Sequence, residues 1–125
     1  MFASWLFSYV VALGVASAET SLRADIENTI SAALMKKPFS QKELASLKLS
    51  LKEIPQGKKG ATISDKIYAD LLIEGLDLIP AEKLDSKSCQ KTRSQVLVQL
   101  EPSSDREPAH PALKEVFKII NILCR

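Results

Sequence analysis

Residues 89–124 read CQKTRSQVLVQL (89–100), EPSSDREPAHPA (101–112) and LKEVFKIINILC (113–124). Eleven steps separate Cys89 from Leu100, and eleven more separate Leu113 from Cys124. Two helices of equal length joined by a turn at 101–112 fold back antiparallel. Their far ends then meet and bring Cys89 beside Cys124. The pairing predicted here is an intrachain disulfide, with two free thiols or an interchain bridge as the alternatives. Neither cysteine has a second Cys or a His at ligand spacing, so a metal site is not expected.

The second arm is the clearer helix. Leu113, Val116, Phe117, Ile120, Leu123 and Cys124 share one face, and Pro111 suits its first turn. The first arm is ambiguous. Val96, Val98 and Leu100 alternate as in a strand, while Cys89, Val96, Leu97 and Leu100 also share a helical face. The helix is preferred because everything around the arm reads as helical and a lone strand has no partner.

Moving toward the N-terminus, 80–88 reads as a linker after Pro80, with one turn around residues 82–84. Before it, 63–79 carries Ile67, Tyr68, Leu71, Leu72, Leu76 and Ile79 as a buried stripe, with Thr62 and Asp65 as a weak capping pair. Asp70, Glu74 and Asp77 form an acidic stripe on the opposite side. The turn at 56–60 is rich in Gly and Lys. No strand precedes it and its glycine spacing is not that of a phosphate loop, so it reads as a connector. A further helix starts at Ser40, where Ser40 and Glu43 form a capping box and Phe39 and Leu44 a hydrophobic staple. Leu44, Leu47, Leu51 and Ile54 line its face, and 55–57 ends it. The first helix is expected over 21–36. It carries Leu22, Ile26, Ile30, Ala33 and Leu34 on one stripe, Lys36 and Lys37 at its C-terminal dipole end, and Pro38 as its stop.

Residues 1–18 carry no charge and end in Ala16-Ser17-Ala18, directly before Glu19. A short apolar run closing on a small-x-small motif reads as a cleavable export signal, although the usual basic residue is missing, with an uncleaved membrane anchor or an amphipathic helix as the alternative. The run is too short to suit a membrane span. The expected organisation is a signal peptide at 1–18 and a single all-α domain at 19–125. That domain is a small bundle of about five helices whose C-terminal hairpin is closed by one disulfide. Export places it in the periplasm or outside the cell, where cysteines pair.

The chain has 17 basic and 15 acidic residues, which gives no basic excess of the kind a nucleic-acid binder needs. The charges are segregated. Residues 36–59 hold seven Lys against two Glu, and 65–85 hold six acids against two Lys. Solvated helix faces account for this, and so does a surface that orients a protein partner.

Catalytic groups are scarce. His110 is the single histidine and stands just before a helix, which is a capping or surface place. Ser88-Cys89-Gln90-Lys91 fits the Ser-x-x-Lys pattern of penicillin-binding enzymes, but the companion motifs are absent and the motif contains a disulfide cysteine. Carboxylates on an amphipathic helix are solvated and lack the pocket that acid/base work requires. The inventory points to a non-enzyme without a cofactor. The loop 101–111 holds three prolines, both signs of charge and Arg106, a residue type favoured at binding hot spots. Arg106, Glu107 and His110 are therefore the candidate partner contacts. Asp70, Glu74 and Asp77 are a second candidate surface.

The C-terminal third resembles the periplasmic immunity proteins that block cell-wall amidases delivered by type VI secretion. The matching residues are Cys89, Pro102, Arg106, Pro108-Ala109, Leu113, Val116 and Cys124, over about 35 residues. The resemblance implies a dimeric, non-enzymatic inhibitor whose partner is a secreted amidase. Two other functions compatible with the composition are a periplasmic holdase chaperone that loosens in acid and a secreted carrier of a small apolar ligand.

Overall fold

The computed structural model describes residues 21–57 and 60–125. The expected signal peptide, its cleavage site after Ala18, and Lys58 and Lys59 lie outside the described residues. Five helices follow one another: α1 (Leu22–Leu34), α2 (Gln41–Gly57), α3 (Ile63–Asp77), α4 (Ser86–Leu100) and α5 (Pro111–Leu123). Among the described residues there is no strand, so residues 89–100 take the helical alternative. The molecule is a small all-α bundle, as the sequence predicts.

Four of the five helices, α1, α3, α4 and α5, start where a side chain accepts one of their free N–H groups. The Ser21 hydroxyl accepts from the Ala24 N–H at 3.0 Å, and the Thr62 hydroxyl accepts from the Asp65 N–H at 3.1 Å. Asp65 does not complete a box with Thr62. Its carboxylate instead accepts from the Arg23 N–H at 3.3 Å, tying the start of α3 to α1. The predicted box on α2 forms in one direction: Glu43 accepts from the Ser40 N–H at 3.0 Å. The Ser40 hydroxyl donates to the same carboxylate rather than accepting from the backbone. The reciprocal box is on α4. There Asp85 accepts from the Ser88 N–H at 2.8 Å and the Ser88 hydroxyl accepts from the Asp85 N–H at 2.9 Å. That box begins α4 at Ser86 and shortens the expected linker. No helical turn forms at 82–84, where Leu84 is instead buried as an apolar anchor.

Two helix ends differ from expectation. α1 stops at Leu34, leaving Lys36 and Lys37 beyond its last turn, and the Lys37–Pro38 bond is cis. α2 runs through Pro55 to Gly57. A proline one turn from a helix end costs one hydrogen bond but leaves the helical φ intact. Gly60, with φ 72°, then turns the chain toward α3 in a conformation that side chains disfavour.

α1, α2 and α3 pack on one another, α4 and α5 form an antiparallel pair, and α3 joins the two groups. Ile26, Ile30, Leu44, Leu51, Leu72, Leu76, Val96, Leu113, Val116, Ile119 and Ile120 form the centre of the core. Phe39 and Leu44, the expected staple, are both buried. Ile67 is not buried; it is 47% exposed, and Ile63 one turn earlier is 77% exposed. The buried arc of α3 is Tyr68, Ala69, Leu72, Gly75 and Leu76. The small residue Gly75 marks the face that meets α5. A Cβ added at Gly75 would lie 2.7 Å from Val116 Cγ2, so glycine sets the α3–α5 approach. Cys89 and Cys124 are bonded, with Cα atoms 6.2 Å apart, and close the far end of the α4–α5 pair. This bridge belongs to an oxidising environment.

Candidate functional site

At the open end of the α4–α5 pair, the connection 101–110 is organised by one side chain. The Glu101 backbone caps α4, its N–H donating to the Leu97 carbonyl at 2.8 Å. Its carboxylate then turns into the loop. Oε1 accepts from the Ser104 hydroxyl and from the Ala109 N–H, both at 2.7 Å, and Oε2 accepts from the His110 N–H at 3.0 Å. The Ser104 N–H donates to the Glu101 carbonyl at 3.0 Å. These bonds favour the ionised carboxylate, the Ser104 hydroxyl most, and hold its pKa below the ordinary Glu range. The loop is thus fixed to its own stem as well as stiffened by prolines.

His110 ends the loop as the N-cap of α5. Its Nδ1 accepts from the Ala112 N–H at 3.0 Å, which places the ring proton on Nε2. The ring centroid lies 6.4 Å from that of Tyr68. Tyr68 is covered on one side by Arg23, whose Cζ stands 4.6 Å from the ring centre. Burial pushes the Tyr68 phenol up to about 12, and the carboxylates of Glu27 and Glu115 push the same way.

Arg106 and Glu107 are exposed and come together at the rim of a groove of about 800 Å³ between α4 and α5. Pro108, by contrast, is buried under the rim. Sequence reasoning did not find two partners in this groove. Arg93 of α4 donates through Nε and Nη2 to the Asn121 side-chain oxygen of α5, at 3.0 and 2.7 Å. These residues are 28 apart in sequence, and only the hairpin geometry joins them.

The second candidate surface is separate. Asp70, Glu74 and Asp77 are exposed on α3, and Ile63 and Ile67 continue the same helical face toward its start. Asp77 is partly engaged, its carboxylate lying 3.4 Å from Lys52 Nζ of α2. Lys48 donates to the Ile79 carbonyl at 3.4 Å, and burial lowers its pKa. The lysine-rich and acid-rich segments therefore meet along the α2–α3 contact.

Among the described residues, no group of three or more His, Cys, Asp and Glu is arranged to hold a metal ion. No helix among them is long and apolar enough to cross a membrane. Comparison of the chain with protein families, with characterised proteins and with solved structures finds no match.

Proposed function

We propose that this protein is an exported, non-enzymatic binder that inhibits a secreted enzyme by docking the 101–110 loop against it. The observation that carries this reading is the Glu101 network. It holds a loop in one shape while Asp105, Arg106 and Glu107 remain exposed. A loop ordered before contact loses little conformational freedom when it docks, which favours tight association. The Cys89–Cys124 bridge fixes the opposite end of the two supporting helices. Inhibition then needs no chemistry from the binder; the loop occupies the cleft and excludes substrate. The resemblance of the C-terminal third makes a cell-wall amidase the enzyme class to test first, with a dimer as the expected assembly. His110 acts by shaping the loop, Arg106 and Glu107 by touching the partner. The acidic stripe of Asp70, Glu74 and Asp77 is the alternative contact surface.

The test is enzyme inhibition. Cell-wall amidases from the same envelope are assayed with the purified protein, with Arg106→Ala and with a variant shortened between Pro102 and Pro108. The expected outcome is stoichiometric inhibition by the wild type, weakened by both changes in chains that remain helical. Inhibition unchanged in both variants would place the contact elsewhere. Absence of inhibition of any amidase would remove the amidase reading.

A further inference from the structure

We infer that the groove between α4, α5 and the 106–108 turn binds an extended, acidic segment of the partner polypeptide. This deepens the reading above and rests on it, because Arg106 belongs to both the loop and the groove.

The groove is lined by Arg93, Arg106, Lys114, Lys118 and Arg125, with Glu107 as the acidic residue on its wall. Among the described residues, ion pairs form between Arg23 and Glu27 and between Lys52 and Asp77. Arg93, Arg106, Lys114 and Lys118 form none, and the cations of the recess outnumber Glu107, its one lining acidic side chain, so the recess keeps a positive excess. Arg93 is fixed all the same. The Asn121 amide takes two of its N–H groups and orients the guanidinium without neutralising it. A held but unneutralised guanidinium is prepared for a carboxylate, whose geometry matches its remaining donors.

Spacing favours an extended chain. Lys114, Lys118 and Asn121 recur at helical spacing along one edge of α5, and Arg125 follows just beyond its end. Lys114 and Lys118 are roughly 6 Å apart along the axis. Alternate side chains of an extended peptide repeat at roughly 6.6 Å on one face. Acids at alternate positions would therefore meet successive cations. Phe117 and Ile122 provide an apolar floor for the residues between them. The cations line a recess rather than a protruding face, which suits a narrow chain better than the flat headgroup plane of a bilayer.

The probe is a short fluorescein-labelled peptide with glutamate at alternate positions, titrated into the disulfide-bonded protein and followed by anisotropy. Its glutamine counterpart and phosphatidylglycerol vesicles are run beside it. The glutamate peptide should bind and the glutamine peptide should not. Asn121→Asp keeps the side-chain shape and supplies the missing carboxylate. It should weaken binding about tenfold or more, as should Lys118→Glu. Lys66→Glu, a charge reversal on exposed α3, should leave binding unchanged. The inference is overturned by no binding of the glutamate peptide, by equal loss in Lys66→Glu, or by preference for the vesicles. Asn121→Asp is also carried through the amidase assay. If shortening the loop relieves inhibition and Asn121→Asp does not, the groove assignment falls and loop docking stands. If neither change affects inhibition while Asn121→Asp abolishes peptide binding, loop docking falls and the groove remains an acidic-peptide site.

Discussion

Gly75 has no side chain to displace, and Val116 occupies the space where one would stand. Gly75→Ala forces α3 and α5 apart, and the expected cost is about 1–3 kcal/mol, the usual range for overpacking. A denaturant melt measures it, and adding Val116→Ala should recover part of the loss if the clash is its cause. Glu101 acts through charge. Its lowered pKa means that the loop network contributes stability above the ordinary Glu pKa, ~4.3, and loses it as pH falls through the lowered value. Hydrogen exchange of the Ala109 and His110 amides should accelerate in that acid range beyond the change seen for core amides. Glu101→Gln, which cannot ionise, should show faster exchange of both amides already at neutral pH. Tyr68 works in the opposite direction of pH. Its phenol ionises at about 10 in an unfolded chain and only near about 12 in the folded one. Stability should therefore decline as pH rises from about 10 toward 12, and Tyr68→Phe should flatten that decline. None of these three roles is legible in the sequence. A glycine inside a helix, a glutamate after one and a tyrosine on an apolar stripe acquire their roles from neighbours on other segments.

Helix starts were more legible, because a cap is a local interaction between residues three apart. Thr62 occupies the expected cap position and accepts the expected N–H group, while Ser21, expected only as the first residue of its helix, stands just outside it as the cap. Thr62→Ala should therefore cost about 0.5–2 kcal/mol in a denaturant melt. Ser40→Ala should cost less, since the Ser40 hydroxyl donates to Glu43 and no helical N–H loses its acceptor. Equal losses at the two positions would show that Ser40 also caps through its oxygen. The Asp85–Ser88 box escaped the sequence reading because its third helical residue is serine rather than Glu or Gln. Its recognition would also have decided α4. A capped start at Ser86 favours a helix over the strand that Val96, Val98 and Leu100 suggest. Val98, the residue that made the alternation look strand-like, is 69% exposed on the finished helix. Ile67 misled in a related way. Apolar periodicity marks a wide stripe but not its edges, and on α3 the buried arc runs through Ala69 and Gly75, with Gly75 meeting Val116 of α5, and leaves Ile67 outside.

At the scale of the molecule, the helical hairpin and its bridge followed from equal arm lengths, and the structure closes the bridge across a separation of 35 residues. The groove beside it did not follow, because Arg93 and Asn121 meet only after both arms have packed. Arg106 could be recognised as an exposed loop arginine, but not as one member of a group of cations. Closing a loop of this length stabilises the fold by about 3–4 kcal/mol through the unfolded chain. Thermal or denaturant melts with and without a reductant should differ by that amount. A difference near zero would mean that packing of α3 against α5 alone retains the hairpin. The bridge has a further consequence for survival among proteases. The exposed bond after Arg106 lies inside the covalent ring that Cys89 and Cys124 close. A trypsin-like cut there would open the ring without releasing either half. The nicked protein would keep its mass on a non-reducing gel, apart from one added water, and separate into two pieces only after reduction.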